Sequence, residues 1–256
     1  PGVYDGAYSG YVIPANTGAN LRAKARRAEL VFLPDWEFSG VTQQAEGLVN
    51  AHITNAYTAE EHLAAAQSAE ASGNFATASR FVGAALNLTD SAADWAEYAR
   101  LLYLAGTSPN DQQQSYLDQS YLASVNAYLR ADNKALQHNI LVTMGDVLEK
   151  NGRGRDKVGA LRLAQSLQPR DDTSAALDDA IGKYGFRIVD NVVESDSARP
   201  RICVNFSETL ATSGVDYATY VQLPGTGLTV TSDGYQQLCV EGVAHGSRNT
   251  ITFREG

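Results

Sequence analysis

The sequence predicts a helical domain followed by a small antiparallel β domain, and three observations favour this fold class. Apolar residues between positions 20 and 184 recur at helical spacing in a sequence rich in Ala, Leu and Gln. From Gly185 the pattern changes to short β-branched runs separated by turn residues. The chain has 256 residues, of which 44% are hydrophobic and 19% charged, so each part can bury a core.

The helical part opens with residues 1–19, whose Gly, Tyr, Asn and Pro content predicts an extended or looped lead-in. A helix predicted to follow ends before Pro34, because proline cannot continue a helix. Thr58 and Glu61 form a capping-box pattern that starts another helix, and Gly73 fits its C-terminal cap. Apolar stripes predict further helices over residues 75–88, 91–104, 112–130, 133–150, 155–167 and 172–184.

A weak internal repeat runs through these helices. Residues 73–90 align with residues 152–169 at an offset of 79, so that Gly73 matches Gly152 and Ala85 matches Ala164. Such an offset equals about two helix-pair repeats of roughly 34–47 residues each. The repeat indicates helical hairpins of a tetratricopeptide-like kind over residues 20–184, and an irregular helical bundle is the alternative.

The last part, residues 185–256, contains short strand-like runs every 8–15 residues or so with turn signals between them. Asp233-Gly234 is a typical hairpin turn between two of these runs. This spacing predicts an antiparallel sandwich-like domain. The runs cover residues 186–193, 201–206, 217–223, 228–231, 237–240 and 249–253.

The two cysteines, Cys203 and Cys239, both lie in this β part, each inside a strand-like run. Such a pair indicates a disulfide and an oxidising compartment, and two buried free thiols are the alternative. The bridge would close a loop worth about 4 kcal/mol in the chain-entropy model.

Charge and length exclude some classes of function. The net charge is -9 and the isoelectric point about 4.9, which opposes binding to nucleic acid phosphates. Residues 22–27 form a short basic stretch, which is typical of the solvated face of a helix. No apolar run approaches the roughly 20 residues that span a bilayer. The chain starts at Pro1 without a signal peptide and is expected to be a piece of a longer protein.

A search for catalytic and ligand-binding patterns gives no candidate. The four histidines, His52, His62, His138 and His245, lack the spacing of metal ligands. The sequence has no phosphate-binding loop, no dinucleotide-binding loop after a strand and no Gly-x-Ser-x-Gly elbow. We therefore expect no catalytic residue, no cofactor and no metal. A helical carbohydrate-active enzyme is the less favoured alternative.

Five of the 13 tyrosines fall on the predicted helices: Tyr98, Tyr103, Tyr116, Tyr121 and Tyr128. Tyrosine is large, rigid and amphipathic, which suits a recognition surface. These residues are the candidate interaction surface of the helical domain. Packing between helices, with the hydroxyl groups at the rim, is the alternative.

Four stretches of the β part resemble a known family: residues 201–210, 216–221, 237–246 and 250–256. The clearest motifs are Cys203 followed by Ser207-Glu-Thr-Leu210, and Leu238-Cys-Val-Glu-Gly242 followed by His245-Gly246. They are similar to the first macroglobulin-type domain of bacterial α2-macroglobulin-like proteins. Residues 10–29 resemble the segment that precedes a helical region in the longer members.

The resemblance implies a large parent protein of the bacterial cell envelope, usually periplasmic and often anchored to the inner membrane by a lipid outside this chain. Such a parent traps proteases through a bait region and, in many members, a reactive thioester. The thioester motif is Cys-x-Glu-Gln, and neither Cys203 nor Cys239 has it, so neither is expected to be the reactive cysteine. The resemblance also favours a structural Cys203–Cys239 disulfide.

The expected function is therefore a non-catalytic N-terminal scaffold or interaction fragment of an envelope protease inhibitor. Its expected partners are target proteases, through the full-length parent, and an envelope protein that binds the helical domain. Nucleic acid is not an expected partner. A tetratricopeptide-like module that docks a protein or peptide is the alternative function.

Overall fold

The computed structural model describes residues 17–51, 57–196 and 198–254. The chain forms two compact units that divide between Tyr184 and Gly185, here called the helical unit and the β unit. Helices precede small antiparallel sheets, which confirms the predicted order of a helical part and a β part. The lead-in predicted over residues 1–19 lies mostly outside the described residues.

In its described residues, the helical unit contains nine α-helices and one short 3-10 helix at Asp35–Glu37. The first α-helix begins at Thr17, inside the predicted lead-in, and ends at Glu29. The α-helices are α1 Thr17–Glu29, α2 Phe38–Ala51, α3 Ala59–Ala71, α4 Phe75–Thr89, α5 Ala92–Thr107, α6 Gln113–Arg130, α7 Lys134–Lys150, α8 Gly154–Leu167 and α9 Asp171–Tyr184.

Side-chain caps fix where several of these helices begin. The capping box predicted before α3 is confirmed: the Glu61 backbone N–H donates to Thr58 Oγ1 at 3.2 Å, and the Thr58 N–H donates to Glu61 at 2.7 Å. Each bond satisfies a backbone donor that a helix start leaves without an intrahelical partner. The side chains of Asn74, Ser91 and Asn133 cap α4, α5 and α7, each by accepting from the backbone N–H three residues later.

The two glycines of the internal repeat occupy equivalent places between helices. Gly73 follows α3 with φ +73°, and Gly152 follows α7 with φ +72°. In both turns the next N–H reaches back to a carbonyl five residues earlier, Asn74 to Ala69 at 2.9 Å and Arg153 to Leu148 at 2.8 Å. A left-handed residue at this position is the usual C-terminal cap, and glycine adopts it without strain.

Helix α6 lies at the centre of the helical unit and contacts α1, α2, α5 and α7. Because it is surrounded, three of its polar residues, Ser120, Ser124 and Asn126, are buried, and they bond to nearby backbone carbonyls. Ser120 donates to Ala99 at 2.7 Å and Asn126 donates to Val41 at 2.9 Å. The core around it includes the large buried side chains Trp95, Leu101, Leu102, Tyr128, Leu141, Met144 and Leu148.

The described β unit contains two antiparallel sheets. The larger has the strand order β1-β2-β5-β4 and the smaller has the order β3-β6. Residues from both sheets share apolar clusters, since Phe253 of the smaller sheet packs against Val204 and Leu238 of the larger one. The strands are β1 Ile188–Glu194, β2 Arg201–Phe206, β3 Val221–Gln222, β4 Thr229–Ser232, β5 Gln237–Glu241 and β6 Thr252–Phe253.

Two strand predictions were too long. The run predicted over residues 217–223 is a 3-10 helix at Tyr217–Tyr220 and then only two strand residues. Asp216 starts the helix because its side chain accepts a hydrogen bond from the Ala218 N–H at 3.1 Å. The run predicted over residues 249–253 pairs only at Thr252–Phe253.

The predicted disulfide is confirmed. Cys203 in β2 and Cys239 in β5 are directly opposite each other in the antiparallel ladder, and their sulfur atoms are bonded. Both residues are buried. The bridge therefore joins the two central strands of the larger sheet.

Candidate interaction site

The tyrosine surface predicted from the sequence is not formed. Tyr98, Tyr121 and Tyr128 are buried, and Tyr103 and Tyr116 are half-buried against the same core. These rings lie on the faces of α5 and α6 that pack against the core of the helical unit. The alternative stated with the prediction, packing between helices, describes these residues correctly.

Two of the buried tyrosines connect the start of the unit to α6 through their hydroxyl groups. Tyr128 donates to Glu29 at 2.6 Å, and Tyr121 donates to Glu37, whose carboxylate also accepts from Arg153 at 2.9 Å. Burial, followed by the hydrogen bond to the carboxylate, raises the pKa of both tyrosines above the ordinary range. These hydroxyl groups therefore remain neutral donors and stabilise the contact between α1, the 3-10 helix and α6.

The candidate interaction site is instead an open groove of about 480 Å³. Five parts of the helical unit line it: α1, α2, the α4–α5 turn, the end of α6 and the start of α7. Its apolar wall consists of Ala23, Phe38, Val41, Ala92, Leu129 and Leu136. This size and apolar character are typical of sites that bind a small ligand or a few side chains.

The polar wall of the groove is a bonded network. Asp90 accepts from the Arg130 guanidinium at 2.8 Å and from the Trp95 indole at 2.9 Å. Arg130 also donates to the Asn126 side chain at 2.9 Å and lies 5.0 Å from the centre of the Trp95 ring. Asp90 has a left-handed backbone, φ +48°, at the end of α4. The charges of Arg130 and Asp90 therefore neutralise each other at the groove wall.

A second cluster of charges joins α7, α8 and α9. The Lys157 ammonium donates to Glu149 at 2.6 Å and to Asp146 at 3.1 Å, and the Tyr184 hydroxyl donates to Glu149 at 2.7 Å. The bond from Lys157, and then that from Tyr184, lowers the pKa of Glu149. Burial alone would lower the pKa of Lys157, but its carboxylate partners outweigh burial and raise it. The Glu149 carboxylate and the Lys157 ammonium are thus held in their charged forms.

This cluster has the electrostatics of an ion pair. A carboxyl group that acts as a general acid needs a raised pKa, and a lysine that acts as a base needs a lowered one. Both shifts are in the opposite direction at Glu149 and Lys157. The cluster therefore stabilises the packing of α7, α8 and α9 and lacks the pKa values that proton transfer near neutral pH requires.

The three histidines that the structure describes do not form a ligand set. His62 is buried in α3, and the His138 Nε2 atom in α7 lies 3.0 Å from the Thr173 hydroxyl. His245 is exposed in the β unit, and His52 lies outside the described residues. In the part of the chain that the structure describes, no three His, Cys, Asp or Glu side chains converge as metal ligands would.

Sequence reasoning missed the groove, because its walls come from five separate segments and no local pattern marks them.

Within residues 17–51, 57–196 and 198–254, none of the helices has the length and apolar character that crossing a membrane requires. No protein-family model matches the chain, and neither a curated protein nor a solved structure matches it.

Proposed function

We propose that the chain is a non-catalytic N-terminal scaffold and interaction fragment of a bacterial α2-macroglobulin-like protease inhibitor. The observation that carries the proposal is the disulfide between β2 and β5, since both cysteines lie in the stretches that resemble the family. The other two stretches include the 3-10 helix with the first residue of β3, and β6. The resemblance therefore involves both sheets of the β unit.

The β unit on this proposal is a macroglobulin-type sandwich. Its strand order, β1-β2-β5-β4 beside β3-β6, is that of a two-sheet Greek-key sandwich in which the fifth strand returns beside the second. The shared apolar clusters support the same assignment, because Val221 of β3 packs with Val240 of β5. A sandwich of this kind serves the parent as a rigid structural module.

The helical unit on this proposal is an array of tetratricopeptide-like hairpins. The matching turns at Gly73 and Gly152, two hairpins apart, support a repeated unit. The equivalent positions Ala85 and Ala164 are also both fully buried. Repeated hairpins make a semi-rigid spacer, which suits the N-terminal end of a trap that must enclose another protein.

A second candidate function is a module that docks a protein or peptide of the envelope. The open groove between α1, α2 and α6 favours it, because a concave apolar site is a binding feature that a pure spacer does not need.

For the third candidate, a carbohydrate-active enzyme, the charge-paired Asp146 and Glu149 offer no support. Glycoside hydrolysis uses one carboxyl group with a raised pKa, and the pKa of Glu149 is lowered.

The location on this proposal is the periplasm or cell envelope, with the lipid anchor elsewhere in the parent. A structural disulfide supports an oxidising compartment, because disulfides persist where thiols are not kept reduced. Target proteases are the partners of the parent, and neither a cofactor nor a metal takes part.

The test is an inhibition assay with the full-length parent and several endopeptidases. A trap that encloses the protease excludes large substrates but admits small ones. We expect cleavage of a large protein substrate to slow while cleavage of a short chromogenic peptide continues. Equal rates with and without the parent, for both substrates and all proteases, would count against the proposal. The intact mass after methylamine treatment then shows whether the trap also carries a thioester.

A further inference from the structure

Strand β1 forms an open edge of the larger sheet. It comes first in the strand order β1-β2-β5-β4 and, among the residues that the structure describes, pairs with β2 alone. Four of its seven residues carry large apolar side chains that are between 38% and 61% exposed: Ile188, Val189, Val192 and Val193. The strand at the other edge, β4, has one large apolar side chain, Val230, which is half-buried. Of the two edges, β1 is therefore the one that leaves apolar surface uncovered.

Some backbone groups of β1 point outward at this edge. In β2 the Phe206 N–H donates at 2.7 Å to the carbonyl that precedes β5. Backbone groups alternate in direction along a strand, so Cys203, three residues earlier, points its groups towards β1. Cys203 is opposite Val192, and the backbone groups of Val192 therefore point inward, to β2. Those of its neighbours Asn191 and Val193 point outward, where a further strand would pair.

The Asp190 side chain covers one of these outward groups. Its carboxylate accepts from the Asn191 N–H at 2.7 Å. Within the described residues Asp190 has no basic partner, whereas Glu194, at the end of β1, is paired with Arg201 at 2.7 Å. A basic side chain beside Asp190 would attract its carboxylate and leave the Asn191 N–H available to a strand ladder. The edge is thus complementary to a positively charged neighbour.

The exposure of β1 on both faces indicates that a strand is the partner that fits it. Val192 is opposite Cys203 and Val193 is opposite Ile202, so the two valines lie on opposite faces of the sheet. A helix packed on the sheet would cover only one of these faces. A strand added in the plane of the sheet contacts both valines and also bonds to the outward backbone groups.

A second copy of β1 fits this edge poorly. An antiparallel pair that uses both outward residues bonds Asn191 to Val193 of the copy and Val193 to Asn191 of the copy. In that register Asp190 is opposite Glu194 of the copy, and the same contact occurs twice. Like charges directly opposite each other destabilise a sheet. The edge therefore favours a strand of different sequence, with a basic residue opposite Asp190.

We propose that β1 binds an extended segment of another protein by strand addition, and that this segment combines apolar residues with a basic residue opposite Asp190. The apolar residues cover Val192 and Val193 on the two faces. The basic side chain binds the Asp190 carboxylate, and the released Asn191 N–H joins the new ladder. The inference is independent of the proposed function, because it concerns only one edge of the β unit.

The test measures binding of a synthetic peptide, acetyl-Ser-Lys-Val-Val-Thr-Lys-Ile-amide, to the whole 256-residue chain. In an antiparallel pair this peptide places its lysines opposite Glu194 and Asp190 and a valine opposite Val192. The matched control peptide has glutamate in place of both lysines. Fluorescence anisotropy of the labelled peptides gives the two Kd values. We expect the lysine peptide to bind about tenfold more tightly, because two cross-strand charge pairs change sign.

A second readout locates the bound peptide. NMR measures hydrogen exchange of single amides in the isotope-labelled chain, with and without the lysine peptide. We expect exchange of the Asn191 and Val193 amides to slow severalfold. The matched controls are Val230 and Ser232, which point outward from β4 because the Asp233 N–H donates towards β5. Their exchange should not change.

One variant tests the role of the charge at the edge. Asp190→Asn removes the charge but keeps an oxygen that can accept from the Asn191 N–H. We expect the preference for the lysine peptide to fall from about tenfold to about threefold, since one of the two charge pairs remains. Asp196→Asn removes the same charge at an exposed position after β1 and should keep the tenfold preference. Circular dichroism checks that both variants are folded.

Three outcomes would overturn the inference. The first is equal binding of the two peptides, or no binding of either. The second is slower exchange at β4 that equals the change at β1. The third is exchange at Asn191 and Val193 that slows with rising chain concentration in the absence of peptide, since a second copy would then occupy the edge.

Discussion

Removing the Cys203–Cys239 bridge is the perturbation whose consequence follows most directly from the structure. The bridge joins the two central strands of the larger sheet, and both cysteines are buried, with 0% and 3% of their surface exposed. The double variant Cys203→Ala/Cys239→Ala keeps the rest of both strands unchanged. It removes the cross-link that restricts the conformations of the unfolded β unit. The expected effect is therefore a loss of stability in this unit alone.

The size of the effect follows from the 36-residue separation of the two cysteines. In the chain-entropy model, a loop of this length is worth about 4 kcal/mol at 25 °C. A domain of about 70 residues has a total stability of about 4–10 kcal/mol. Loss of the bridge should therefore remove between two fifths and all of the stability of the β unit.

The assay is hydrogen exchange of β2 and β5 peptides across a urea series, with tryptophan fluorescence recorded on the same samples. The only two tryptophans, Trp36 and Trp95, lie in the helical unit, so their signal is an internal control. We expect the β2 and β5 transitions to move to much lower urea and the tryptophan transition to stay in place. A shift in the β strands worth less than about 1 kcal/mol would refute the reasoning, because the bridge would then add little constraint.

Three further predictions concern the helical unit. Gly152→Ala should lower the free energy of unfolding by about 1–2 kcal/mol, because the φ of Gly152 is +72°. Gly182→Ala, inside α9, should raise it by about 0.5–1 kcal/mol. Urea denaturation compares the two variants, and equal effects would contradict the turn geometry. Tyr128→Phe should cost about 1.5–3 kcal/mol by removing a bond to a carboxylate, and Tyr116→Phe should cost little, as thermal unfolding would show. Because the pKa of Glu149 is lowered in the fold, the ionised carboxylate stabilises the protein above about pH 4.5, and this stabilisation is lost as pH falls through the folded pKa. Glu149→Gln should therefore flatten the dependence of the free energy of unfolding on pH between about pH 5 and 3.

Features set by neighbouring residues could be predicted from the sequence. The capping box at Thr58 and the helix-ending Gly73 depend on a few adjacent residues, and the structure has them where expected. The change at Gly185 from helical to strand-like spacing was equally local. These signals were enough to predict that helices precede strands, but they predicted neither helix α2 nor the 3-10 helix at Tyr217–Tyr220.

Features set by distant residues could not be predicted. Helical spacing shows that Tyr121 and Tyr128 share a face, but not that α1 and the 3-10 helix supply carboxylates to that face. The lengths of β3 and β6, two residues each, could not be predicted, because their pairing depends on a partner far along the chain. The groove has the same origin, since Asp90 and Arg130 meet there across 40 residues.

The most direct test of the proposed protease trap is native mass spectrometry of the full-length parent mixed with one endopeptidase. The matched control is the same enzyme with its active site chemically blocked. The proposal predicts that the active protease cuts the parent once or a few times and is retained in a stable complex, whereas the blocked enzyme is not. Complete digestion of the parent without any retained protease would contradict the proposed trap.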